Sequence, residues 1–175
     1  MASTRTSTYS PIDVSVVISH PATGMIHTIA GYSDDSFINI ARDSETYDHY
    51  TGIDNQATRI YKANTSAKIT VTLAQSSASN DILTELYRYD KASRNSKGLF
   101  SVLVKDGSGR AYAFAQEGYI GKVPDSGYGA GMSTREWVLH VTQLDDYIAG
   151  NGLVSAQDKA AIEQMGGSIA DEWLA

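Results

Sequence analysis

The sequence contains no cysteine. Thiolate zinc sites, iron–sulfur clusters, cysteine nucleophiles and disulfides are thereby excluded. At 175 residues the chain needs none of them, because folding at this length buries about two thirds of the surface the unfolded chain exposes. No uninterrupted apolar run approaches the roughly 20 residues of a membrane span. The polar start Met1-Ala2-Ser3-Thr4-Arg5-Thr6-Ser7-Thr8 lacks the apolar stretch of a secretory signal, so the protein is expected in the cytoplasm when made. Basic excess is missing too. Lys and Arg number 14 against 20 Asp and Glu, a formal charge of −6, which argues against a wide grip on a phosphate backbone. What is present, 42% apolar positions, is enough for one soluble domain with its own core.

Period-two alternation dominates the chain. Ile12, Val14, Val16 and Ile18 share one face of a strand over 12–18, and His20-Pro21-Ala22-Thr23-Gly24 turns it into a hairpin with 25–30. Further strands are expected at 37–42, 58–62, 68–73 and 99–105, at 111–115 with pairing through Tyr119-Ile120, and last where Trp137, Leu139 and Val141 share a face. Asp106-Gly107 between two apolar runs signals another hairpin. Ser76 to Asp81 supply N-cap candidates for a helix over 80–91, whose Ile82, Leu83, Leu86, Tyr87 and Tyr89 recur at helical spacing. A second helix is expected over 155–165, opened by the capping box Ser155 to Asp158, striped by Ala161, Ile162 and Met165, and ended by Gly166-Gly167. The fold class is therefore mainly β, a sandwich or barrel with one inserted helix and a partly helical C-terminal extension. The β domain is placed at 1–144, with a flexible arm over 1–10, and the extension at 145–175. Residues 43–58 break the alternation. They are polar, rich in turn formers and too long for a passive connection, which makes them a candidate contact element.

Catalytic chemistry finds no support. His20, His27, His49 and His140 lack the spacing that sets two imidazoles on one helix face, and Asp48-His49 with Asp43, Glu45 and Asp54 reads as a solvated loop before it reads as a cation site. Asp106, Ser108 and Glu117 fit three positions of a calcium loop, but Arg110 and Ala111 occupy positions that need a ligand and a Gly. Gly127, Gly129 and Gly131 precede a strand, not the helix a phosphate cradle requires. No Ser sits in a Gly-x-Ser-x-Gly elbow, and the Asn64-Thr65-Ser66 sequon is a chance match without a secretory signal. The acidic pairs Asp34-Asp35 and Asp145-Asp146 point to opposite faces if they lie on strands. No enzyme, cofactor or metal is expected. Eleven Tyr leave open a soluble β-sandwich carbohydrate-binding module that stacks sugars on exposed rings; the same residues also suit half-buried strands or subunit contacts.

One series of motifs goes further. Ser36-Phe37-Ile38-Asn39-Ile40-Ala41-Arg42, Gly52-Ile53-Asp54 with Thr58-Arg59, and Ile69-Thr70-Val71-Thr72-Leu73-Ala74-Gln75-Ser76-Ser77-Ala78-Ser79-Asn80-Asp81 come first. Val104-Lys105-Asp106-Gly107-Ser108-Gly109, Tyr119-Ile120 before Pro124-Asp125, and Arg135-Glu136-Trp137-Val138-Leu139 follow. Their order and spacing over about 10–145 resembles the tail tube proteins of contractile-tailed bacteriophages, in the myophage structural-protein branch; Tyr119 stands where Trp is expected, and 145–175 lies outside the likeness. The resemblance implies a non-enzymatic virion building block. Six copies form a ring, and rings stack into a hollow tube whose lumen is a continuous β-barrel with a helix outside. Double-stranded DNA passes through without specific binding. The implied partners are other copies, the tail sheath protein outside, a baseplate or tube initiator at one end and a tail terminator at the other. Pairing edge strands between copies satisfies exposed backbone groups, and acidic excess suits a conduit for a polyanion. Within that scheme 43–58 is expected to reach the neighbouring ring through Tyr47 and Tyr50 and the charges Arg42, Asp43, Asp54 and Arg59, since aromatic and Arg residues are the usual interface anchors. The 155–165 helix is expected on the outer surface near the sheath. Self-assembly separates this reading from the sugar-binding one, because a binding module stays small at any concentration.

Overall fold

Alternating residues build one curled antiparallel sheet. The structure is a computed structural model and describes residues 6–34 and 37–175; Asp35, Ser36 and the first half of the expected N-terminal arm lie outside them. In chain order the elements are β1 (Val14–His20), β2 (Met25–Thr28), β3 (Ile38–Arg42), β4 (Tyr47–Thr51), β5 (Ala57–Tyr61), β6 (Ala67–Ala74), α1 (Ser79–Ser93), β7 (Phe100–Asp106), β8 (Tyr112–Ile120), β9 (Thr134–Val141), β10 (Asp145–Tyr147) and α2 (Ala156–Gln164). The main sheet runs β2-β1-β7-β8-β9-β6-β3, with β10 also on β8.

Strand β8 is where the sheet turns from one layer into two. Its first half pairs with β10 and its second half with β9. Between them the register to β7 slips, and Gln116 and Glu117 are both exposed. A bulge of this kind bends a strand and lets it serve two layers. The inner faces then meet. Val16 and Ile18 of β1, Val102 of β7, Ile69, Val71 and Leu73 of β6 and Leu139 of β9 are completely buried in one cluster. At 29–33 the chain crosses from one layer to the other, through Ile29 N–H to Val16 O at 2.8 Å, Ala74 N–H to Gly31 O at 2.8 Å and Ser33 N–H to Thr72 O at 3.0 Å.

Helix α1 covers the cluster with Leu83 and Leu86; burying a leucine contributes about 2 kcal/mol. It starts one residue before the expected position, and Ser77 serves its first turn: Ser77 Oγ accepts from Ser79 N–H at 3.2 Å and donates to Ala30 O at 2.6 Å. Ser79 Oγ is buried between β2 and the helix, 2.9 Å from His27 Nε2 and accepting from Ala30 N–H at 3.0 Å. Arg94 ends the helix in a left-handed conformation, φ 50°.

Three expectations need correction. Ile12 does not begin β1 but sits 91% exposed in a single 3-10 turn over Pro11–Asp13, where Pro11 at the first position favours a turn over a ladder. Residues 43–58 are not an irregular loop, because 47–51 and 57–61 pair as β4 and β5. The sheet does not stop at Leu144: Asp145, Asp146 and Tyr147 pair with Phe114, Ala113 and Tyr112. Helix α2 lies at the surface, with no buried residue of its own and with Met165, its C-terminal cap, 80% exposed. Its capping box does form, with Ser155 Oγ accepting from Asp158 N–H at 3.2 Å.

The C-terminal segment is held by backbone and charge. Val154 N–H donates to Trp173 O at 2.7 Å and Ala175 N–H to Val154 O at 3.0 Å, Ile169 is buried, and the Arg110 guanidinium lies 4.8 Å from the Trp173 ring. Lys159 Nζ donates to Asp171 Oδ1 at 2.6 Å. That bond holds the Asp171 carboxyl below its ordinary value and raises the Lys159 ammonium above its own. The stabilisation from a lowered acid exists above its unfolded pKa, near 3.9, and is lost as pH falls through the lower folded value; that from a raised base exists below about 10.4 and is lost as pH rises through the higher one. Acrylamide quenching of Trp173 in a Trp137→Phe background should therefore be flat from about pH 5 to 9 and increase below about pH 4. Quenching that rises between pH 5 and 9 would contradict the tether.

Candidate assembly site

Residues 43–66 leave the body as a free-standing hairpin. Tyr47 pairs with Tyr61, His49 with Arg59 and Tyr50 with Thr58, and all ten residues of β4 and β5 are exposed. The ladder continues to Lys62 N–H and Thr46 O at 2.7 Å. At the tip Gly52 N–H donates to Gln56 O at 2.9 Å, and Asn55 takes the left-handed φ of 63° that Asn tolerates better than most residues. Asp54 is spent on shaping this turn, accepting from Gln56 N–H at 3.3 Å. Beside it Ile53 is fully exposed.

The expected contact residues separate into two groups. Arg42 and Asp43 sit at the root and use their charges inside the chain. The guanidinium of Arg42 binds Asp146 of β10 and the carbonyls of Leu144 and Thr65, both at 3.4 Å. Asp43 accepts from Ser66 Oγ at 2.8 Å and lies 3.6 Å from Lys68 Nζ. Because Arg42 spans from β3 to β10, it fixes the direction in which the arm leaves. Tyr47 and Arg59 lie on one face of the hairpin, where the guanidinium stacks 4.0 Å from the ring centroid, a contact worth about 0.5–1 kcal/mol at an exposed site. Tyr50 lies on the other face, 61% exposed.

The contact residues expected from the sequence did not include His49 and Ile53, inside the 43–58 element, or Ile60 and Tyr61, which were expected only as part of a strand over 58–62. Tyr61 packs on Tyr47, ring centroids 5.7 Å apart, and the signal that could have found it is the pair of aromatics flanking a turn at Gly52 to Asn55. Lys62 Nζ reaches Asp48 Oδ2 at 3.0 Å, and this bond, with the His49 N–H, holds the Asp48 carboxyl below its ordinary range. Asp145 and Asp146 do not form a carboxylate pair: Asp146 faces Arg42, while Asp145 is exposed opposite Phe114. At the calcium-loop register Asp106 Oδ1 accepts from the N–H and hydroxyl of Ser108, at 2.8 and 2.7 Å, which is turn chemistry.

Among the described residues β2 and β3 end the main sheet with open edges, and β10 pairs on one side alone. An arm without a core of its own and open sheet edges are features that a neighbouring copy can cover. Comparison with known proteins agrees. A sequence model of the family described as bacteriophage PhiTE tail tube protein matches residues 6–149. Structural protein ORF10 of Pseudomonas phage KPP10 is 40% identical over 170 residues, spanning 97% of this chain and 98% of that one. Among solved structures, the cap of the anti-feeding prophage superposes with a TM-score of 0.52 at 9% identity, over 84% of this chain and 95% of the other. A chain of the sheath-tube complex of the extracellular contractile injection system PVC gives 0.52 at 10% identity, over 80% and 91%. At such identities the likeness is one of fold. The match along most of the sequence decides the family: this chain belongs to the PhiTE-type bacteriophage tail tube proteins and is a structural protein of the phage tail, not an enzyme.

Proposed function

We propose that six copies of this chain close into a ring, that rings stack into the inner tube of a contractile tail, and that the genome leaves through the lumen. The observation that carries this reading is the β4–β5 arm. A lone two-stranded hairpin is marginal in water, and this one exposes Tyr47, Tyr50, Ile53, Ile60 and Tyr61 together. A second copy supplies the missing surface. The open edges of β2 and β3 suit lateral pairing within a ring, which removes unpaired backbone groups, while the arm is the element long enough to reach the ring above or below. A net charge of −6 favours free passage of double-stranded DNA over binding. In the same reading the sheath surrounds the tube, an initiator and a terminator sit at its ends, assembly takes place in the host cytoplasm, and the α2 side faces outward; the fold shared with a chain of a contractile sheath-tube complex and with a tube-terminating cap is in keeping with this arrangement.

Negatively stained electron microscopy of the purified protein over a concentration series tests the proposal. Rings or hollow tubes of sixfold symmetry are expected. Monomers persisting at every concentration, with or without an added tube initiator, would overturn it.

A further inference from the structure

The outward surfaces of sheet and arm are uneven in polarity and charge. Pairing sets Thr28, Val17, Leu103, Phe114 and Asp145 in one row across β2, β1, β7, β8 and β10, with Lys105, Tyr112 and Tyr147 in the next. Leu103, Tyr112, Phe114 and Tyr147 all remain exposed, and the last pair of tyrosines stack 6.3 Å apart. Strands β6 and β9 present Lys68, Thr70, Thr72, Glu136, Val138 and His140 on their outward side, a more polar and charged surface. Asp145 ends the apolar row with no cation in ion-pair range among the described residues.

The arm carries the complementary surface. Alternation puts Tyr47, His49, Arg59 and Tyr61 on one face and Asp48, Tyr50 and Ile60 on the other. The first face has no carboxylate, and Arg59 has no acidic partner among the described residues, only the Tyr47 ring.

We propose that the Tyr47–Arg59 face of the arm of one copy lies on the aromatic face of β7, β8 and β10 of a second copy, with Arg59 against Asp145. This rests on the reading that the arm joins copies and adds the surface that receives it. An unpaired cation among exposed tyrosines meets an unpaired carboxylate at the edge of exposed tyrosines and Phe114, so charge and apolar area are matched together. Donor and acceptor are different patches of one chain. Such a contact is head-to-tail and repeats from copy to copy, as a stack requires, where a self-complementary patch would close as a dimer.

A charge exchange in the full chain tests it. Arg59→Asp and Asp145→Arg, each alone, should raise the protein concentration needed for tubes by about tenfold or more, and the double variant should return it to within about threefold of the original. Circular dichroism confirms that each variant is folded. If a reversed variant unfolds, Arg59→Gln and Asp145→Asn replace it, each weakening assembly and together weakening it no more than either alone. Equal failure of the double and single variants, or normal assembly by Asp145→Arg, would overturn the docking site. If the chain without its arm also fails to assemble, the arm's role stands and only its receiving surface is wrong; if that chain forms normal tubes, the underlying reading fails as well.

Discussion

Replacement of residues 45–63 by a short Gly-Ser turn is expected to leave the body folded and to abolish long tubes. Strands β3 and β6 are antiparallel neighbours with Arg42 opposite Ala67, and Asp43 N–H already bonds Ser66 O at 3.1 Å, so the chain can cross between them without the arm. No buried side chain is removed. The melting temperature should move by less than about 3 °C, while assembly falls about a hundredfold, which an interface contribution of roughly 3 kcal/mol per copy suffices to produce. Folded subunits or isolated rings are the expected products in sedimentation. Tubes of normal length would remove the arm from the stacking contact.

The second large effect is expected in the core. Trp137 is 2% exposed, and its Nε1–H donates to Asn80 Oδ1 at 2.9 Å. Asn80 in turn donates to the carbonyls of Ala74 and Ser77, each at 3.0 Å, so one amide joins the start of α1 to the end of β6 and the middle of β9. Trp137→Ala leaves a cavity worth about 3–5 kcal/mol and orphans one Asn80 oxygen for about 1 kcal/mol more. Against a total of about 5–15 kcal/mol that lowers the melting temperature by roughly 10–15 °C in a chain of this size. Trp137→Phe keeps the bulk and loses the bond, about 1–2 kcal/mol. If thermal unfolding showed equal losses for the two variants, the cavity contribution would be absent and the packing account wrong.

The body was legible where one face is buried and the other is not. Ile69, Val71 and Leu73 alternate with Lys68, Thr70 and Thr72 because β6 has a core on one side only, and Leu83 and Leu86 recur because α1 does too. Of the arm only its second strand was legible, at 58–62; with both faces of β4 and β5 in solvent, burial imposes no period on β4, and Tyr47 and Tyr50 looked like loop aromatics. Strand β10 is three residues long and exists because β8 bends away from β9, which no local pattern encodes. Arg42 was read as a surface charge because its partner Asp146 is 104 positions away. His20 was read as part of a polar turn; it is 1% exposed, edge-on to Tyr89 of α1 at 5.2 Å, a contact that depends on the helix folding back over β1. The family likeness was legible because ordered turns and strands survive along the whole body, whereas individual contacts between distant residues leave no local trace.

The central claim is that copies join through the β4–β5 arm into a sixfold hollow tube. A reconstruction of the assembled particle by electron cryomicroscopy tests it most directly. The account predicts six copies per ring and an arm from every copy buried against a neighbour in the adjacent ring. Rings of another symmetry, or arms lying free in solvent while the rings stack through other surfaces, would contradict it.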